Sequence, residues 1–311
     1  MPPHDMQPWG VLNEAQQGVG KMSLQIFING LALGSVYALI ATGFSLVFNV
    51  LKFSNFAHGA MMTCGAFFGY FLAAANGWGL LPTLLVAMVS GALLGLIGQI
   101  IAFQRILNNH SSPIYFFVSS ITLGTLLEGF VTLKVGANFY NYPRFFKTAT
   151  FSIGSIIISK SDAMMFCISS VVLLLLAYII KYTRTGRALR SVSFNRDNAS
   201  LMGINVNKII RVTFMVSGAL AGIAGVFLGI NYTLYPTLGS LVVKGFIASV
   251  IGGLGSLPGA VIGAVLLGMT ETMLIHFIGS GYAPIITFLI MLVFLLLRPR
   301  GIAGSNVQEK A

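Results

Sequence analysis

The stretch Phe53-Ser54-Asn55-Phe56-Ala57-His58-Gly59 sets a hydroxyl, an amide and an imidazole close together in otherwise apolar surroundings. An amide and a neutral imidazole each offer a donor and an acceptor. The chemistry within their reach is hydrogen bonding to a polar solute, or to neighbouring elements, rather than bond making. The remaining ionisable groups in apolar surroundings are Glu128, Lys244, Glu271 and His276. No Ser-His-Asp order, HExxH pattern or paired carboxylates occur, so no catalytic residue is expected. The Gly-rich run Gly252-Gly253-Leu254-Gly255-Ser256-Leu257-Pro258-Gly259 lacks the Gly-x4-Gly-Lys-Ser/Thr spacing that cradles phosphates. Gly20-Lys21 is followed by Met22 and has no Gly five residues before Gly20. The chain is therefore not expected to bind ATP or another cofactor itself. Cys64 and Cys167 lie inside apolar segments, which argues against a structural disulfide or a metal site.

The elements that must hold these groups are helices of a membrane protein. Of 311 residues, 56% are hydrophobic and 8% charged, and mean hydropathy is +0.88. A soluble domain carries about a quarter charged residues. No Asp, Glu, Lys or Arg occurs in 24–51, 53–104, 163–180, 212–243, 245–270 or 272–297. Each run matches or exceeds the roughly 18 apolar residues of a spanning helix. The expected fold is an all-α polytopic membrane protein. Its spans fall near 24–50, 57–75, 80–103, 114–133, 163–181, 210–231, 241–256, 259–277 and 283–298, giving eight or nine crossings. The first is long, with Asn29-Gly30 as a candidate break, and 241–256 is short enough to be re-entrant. Residues 1–22 read as a polar, mobile tail before an uncleaved span, because they lack the basic start and cleavage site of a signal peptide. Gly30 and Gly34, Gly91 and Gly95, Gly218 and Gly222, Gly225 and Gly229, and Gly259 and Gly263 repeat the four-residue spacing that lets helices approach closely.

Orientation follows from Lys and Arg, which favour the cytoplasmic side. The loop 182–211 and its flank hold Lys181, Arg184, Arg187, Arg190, Arg196, Lys208 and Arg211 against one acid, Asp197. With nine crossings, twelve basic residues fall inside and six outside. The N-terminus is then outside, the C-terminal tail 301–311 cytoplasmic, and 134–162 the main external loop. The net charge of +11 resides in these loops rather than in a patch for nucleic acid, which is not an expected partner. At depth, ionisable groups are costly. Lys244, placed near an outer span end, is expected to snorkel to the surface, and His276 also lies near an end. Structural and transport roles stay open for Glu128 and Glu271. The Asn55–His58 segment is either part of a path or a short polar turn at the cytoplasmic interface. Within 182–211, Asn195 or Asp197 could cap a short helix that Gly203 ends. Such basic, partly apolar helices could lie on lipid or dock into a partner.

The chain resembles the LivH-type branched-chain amino acid permeases. The resemblance rests on Asn29-Gly30-Leu31-Ala32-Leu33-Gly34-Ser35-Val36-Tyr37-Ala38-Leu39, Asn55-Phe56-Ala57-His58-Gly59 and Thr185-Gly186-Arg187-Ala188. It continues in Ala199-Ser200-Leu201-Met202-Gly203-Ile204-Asn205, Ser217-Gly218-Ala219-Leu220-Ala221-Gly222 and the run from Gly252 to Ala260. In family order, it covers nearly all of 23–300, which makes 23–300 the permease domain. It implies a subunit of an ABC importer in the bacterial inner membrane that forms the path for branched-chain amino acids. Its implied partners are a second permease, two cytoplasmic ATP-binding subunits and an extracytoplasmic substrate-binding protein. Asn55, His58 and Glu271 become path candidates, and Arg187, Ala199 and Gly203 candidates for coupling to the ATPases. One departure is Ala60, where the family usually places an acid. Rival readings are a permease for urea, short amides or other amino acids, and a channel or ion-coupled carrier acting alone.

Overall fold

The computed structural model describes residues 8–109, 111–146, 150–153, 156–298 and 301–303. Among these residues, twelve α-helices follow in order: α1 (Pro8–Leu51), α2 (Ala57–Leu72), α3 (Leu80–Gly98), α4 (Gln104–Asn108), α5 (Pro113–Val135) and α6 (Lys160–Tyr182). They continue with α7 (Arg184–Phe194), α8 (Arg196–Leu201), α9 (Val206–Tyr232), α10 (Val242–Gly252), α11 (Leu257–Ile278) and α12 (Ala283–Leu297). A π turn, Gln99–Phe103, joins α3 to α4. The chain is a multi-pass, predominantly helical membrane protein.

Among the described residues, six helical runs are long and apolar enough to cross a membrane: Leu24–Leu51, Leu80–Asn108, Pro113–Val135, Lys160–Tyr182, Val206–Tyr232 and Leu257–Ile278. The other three expected crossings are also helical but shorter, with 16 residues in α2, 11 in α10 and 15 in α12. Two details depart from the sequence reading. α1 runs through Asn29-Gly30 without a break, because Gly30 closes against the Met269 backbone of α11. That helix already begins at Pro8, so much of 1–22 is helix rather than tail, while residues 1–7 lie outside the described set. A short hairpin, Thr150–Ile153 (β1) paired antiparallel with Ile156–Ser159 (β2), is inserted inside 134–162 of the otherwise helical chain.

Close glycine approach explains which helices are neighbours. Gly34 meets Val265 and Gly268 of α11, while Gly91 and Gly95 of α3 meet Gly218 and Phe214 of α9. Gly259 and Gly263 of α11 pack on Gly252 and Ala248 of α10. Backbones this close maximise dispersion contacts in lipid, where no hydrophobic effect drives helices together. The result is a core of α1 and α9, both largely buried, surrounded by the rest. Large apolar side chains of α3, α5, α6 and α12, such as Leu85, Leu126, Leu174 and Leu292, face outward, as lipid contact requires.

Candidate functional site

Lys52 ends α1 with a left-handed φ of 57°, its N–H bonded to the Phe48 carbonyl at 2.8 Å. The chain then doubles back without helical structure over 53–56. Phe53 stacks on Phe116 at 5.1 Å, and Phe56 meets Phe44 edge-on at 6.0 Å. Phe44 precedes Leu51 by seven residues, so Phe56 lies about 10 Å from the end of α1 at 1.5 Å per residue. α2 therefore starts inside the helix bundle, with Asn55 and His58 buried.

His58 is fully buried there. Ser217 Oγ of α9 donates to the Gly43 carbonyl of α1 at 2.9 Å and lies 3.2 Å from His58 Nδ1. The Ser217 hydroxyl thus links α1 and α9 and meets the imidazole of α2. A Cβ on Gly43 would come within 2.7 Å of His58 Cε1. Among the described residues, His58 Nε2 and Asn55 Oδ1 are buried without a hydrogen-bond partner. Such orphans cost about 1–3 kcal/mol each.

A second polar layer surrounds Tyr37, six residues from Gly43 along α1, or about 9 Å away. Tyr37 donates to Glu271 Oε2 at 3.0 Å and accepts from Lys244 Nζ at 3.1 Å. Lys244 also forms an ion pair with Glu271 Oε1. Its ammonium lies 5.7 Å from the ring centre of Tyr232, the last residue of α9. Lys244 thus does not snorkel to an aqueous surface. It turns inward, because a carboxylate and a phenol oxygen offer it partners at depth. No hydrogen bond joins this layer to Asn55 or His58 among the described residues. His276 is exposed near the end of α11, and Glu128 is half-buried on α5.

The coupling candidates gather at the opposite level, beside the end of α1. Asn195 caps α8, its Oδ1 accepting from the Asn198 N–H at 2.9 Å. Gly203, at φ 79°, ends the helix, while Ile204 N–H returns to the Ala199 carbonyl at 3.1 Å. Arg196 Nε donates to the Val50 carbonyl at 3.0 Å, fastening α8 to α1. Partial burial holds both the Lys52 and Arg196 cations below their ordinary ranges, and the Arg196 charge adds to the effect on Lys52. Arg187 is exposed, whereas Ala199 is buried and serves as the seat of α8 rather than its contact surface. Phe194, Leu201 and Met202 stand out instead, at 87%, 85% and 83% exposure.

Residues 26–296 match the family described as branched-chain amino acid transport system / permease component. The chain belongs to this permease family. It is 32% identical over 302 residues to the high-affinity branched-chain amino acid transport system permease protein LivH of Escherichia coli (strain K12), covering 92% of this chain and 97% of that protein. The high-affinity permease protein BraD of Pseudomonas aeruginosa matches at the same identity and coverage. Among solved structures, PsaBC from Streptococcus pneumoniae in complex with Fab aligns with TM-score 0.50 at 18% identity, covering 92% of this chain and 94% of that one. This last likeness concerns the fold alone. Tyr37, Ser217, Leu201 and Met202 enter the sequence reading only as members of family-like runs, and Phe194 does not enter it. A tyrosine at the centre of an otherwise apolar helix was the available signal for Tyr37.

Proposed function

We propose that this permease is the subunit through which branched-chain amino acids cross the bacterial inner membrane, driven by two cytoplasmic ATP-binding partners. A second permease completes the path, and an extracytoplasmic binding protein delivers the substrate. The N-terminus lies outside and the basic end, with α7 and α8, lies in the cytoplasm. The chain itself binds no nucleotide and catalyses no reaction.

The observation that carries this reading is the exposed apolar tip of α8. Leu201 and Met202 project from a short capped helix within the basic segment 181–211. Apolar side chains this exposed mark a contact surface when they cluster. Burying each in a partner groove is worth about 1.5–3 kcal/mol. The buried Ala199 and the Arg196–Val50 bond connect the tip to α1, and Asn205 caps α9 through the Lys208 N–H at 3.0 Å. Movement of a docked ATPase is thereby passed to the two core helices. That is the mechanical requirement of alternating access.

Paired substitution of Leu201→Asp and Met202→Asp tests this. The variant should still copurify with the partner permease but retain the ATPase at least about tenfold more weakly. Undiminished ATPase retention would remove α8 from the docking surface.

A further inference from the structure

We propose that Lys244, Glu271 and Tyr37 form a zwitterion site, in which a substrate amino acid opens the Lys244–Glu271 pair and takes each partner's place. The inference rests on the amino-acid permease reading above and assigns the recognition of the substrate's charged end. Tyr37 stands 13 residues from Leu24 and 14 from Leu51, about 20 Å from either end of the spanning part of α1. Glu271 lies 14 residues from Leu257 and seven from Ile278, about 21 and 10 Å along α11. The pair therefore lies within the membrane-spanning part of the bundle, nearer the Ile278 end, where unpaired charge is costly.

The backbone is interrupted beside it. α9 stops at Tyr232, and Thr233 adopts φ 77°, a left-handed conformation that strains a β-branched residue. The chain regains helix only at the 3-10 turn Leu238–Leu241, and α10 then supplies just 11 residues, about 16 Å. A helix of that length crosses about half of a 30 Å hydrocarbon core. Gly239 of this turn closes on Gly59, so the late-starting α10 and the late-starting α2 begin side by side. Irregular backbone at membrane depth is tolerated where it is buried in protein or lines a cavity. Substrate sites are found at such discontinuous helices near the midplane.

The chemistry fits an α-amino acid. Its carboxylate requires a cation, which Lys244 provides; its ammonium requires an anion, which Glu271 provides. Tyr37 donates to Glu271 and accepts from Lys244, so it can hold either partner in position while the pair is open. Glu271 is sequestered at 3% side-chain exposure, whereas Lys244 keeps 14%. Lys244 is thus the edge of the pair at which a carboxylate first arrives. A purely structural tie needs no such charges, since replacing a buried ion pair by apolar residues of similar volume is often neutral or stabilising.

That contrast supplies the test. The assembled importer, comprising this chain, the partner permease, the ATPases and the binding protein, is reconstituted with Lys244→Met/Glu271→Leu and with Lys244→Gln/Glu271→Gln. Both double variants remove the charges and leave no single buried ion. The expected result is assembled complexes that keep ATPase stimulation by leucine-loaded binding protein, but carry at least about tenfold less leucine per ATP hydrolysed. Wild-type leucine transport per ATP in either assembled variant would overturn the site. Failure of both variants to assemble would also overturn it, by showing that the pair is a structural tie. Absence of leucine uptake by the wild-type complex would instead refute the branched-chain reading on which the site rests.

Discussion

His58 illustrates how little a residue type reveals without its neighbours. In sequence it is an imidazole between two apolar spans; in the fold it is buried on α2 beside the Ser217 hydroxyl, which itself bonds the Gly43 carbonyl of α1. His58→Ala is expected to destabilise the complex by about 2–4 kcal/mol, through the lost hydrogen bond and the cavity left behind. Thermal melting of the detergent-solubilised complex should show this, with transport and ATPase activity falling together. A variant of unchanged melting temperature but reduced transport per ATP would assign His58 to the path instead. Gly43→Ala should phenocopy it, since the added methyl group would strike the imidazole. The partnership of Lys244 and Glu271 was not legible beforehand. The two are 27 residues apart on separate helices, and only the packing of α10 on α11 brings them together. From sequence, Lys244 reads as a charge that snorkels and Glu271 as an isolated acid whose role stays open.

Among the elements, apolar run length marked the helices, and glycine spacing marked the faces on which they pack. What run length could not reveal was where a helix begins in depth. The entry into α2 and α10 depends on irregular backbone at 53–56 and 233–237, whose course is set by tertiary contacts such as Phe56 on Phe44 and Gly239 on Gly59. The α7–α8 hairpin was more legible, because Asn195 and Gly203 are capping residues that act locally. Gly203→Val tests its role in coupling. A Cβ there meets nothing within 4 Å, so the substitution adds backbone strain without a clash. Membrane insertion should be unaffected, while ATPase stimulation by the loaded binding protein falls severalfold; full stimulation would show that the turn transmits no signal. Orientation is tested by single cysteines at Asn141 and Ser200, both exposed, in a background lacking Cys64 and Cys167. An impermeant maleimide added to intact cells should label Asn141→Cys alone. Labelling at Ser200→Cys would reverse the assigned sidedness.

At the scale of the whole molecule, the account describes a subunit rather than a self-sufficient transporter. α8 is fastened to core helix α1 by the Arg196–Val50 bond and leads into α9 through the Asn205 cap, so movement of a partner docked on α8 would reach both core helices. Uptake into proteoliposomes tests this most directly. Vesicles containing this chain alone are compared with vesicles containing the chain, its partner permease, the ATPases and the binding protein, with ATP supplied on the ATPase side. The account predicts accumulation of radiolabelled leucine by the full assembly only, and none when ATP is withheld. Appreciable leucine uptake by vesicles holding this chain alone, with or without ATP, would contradict it.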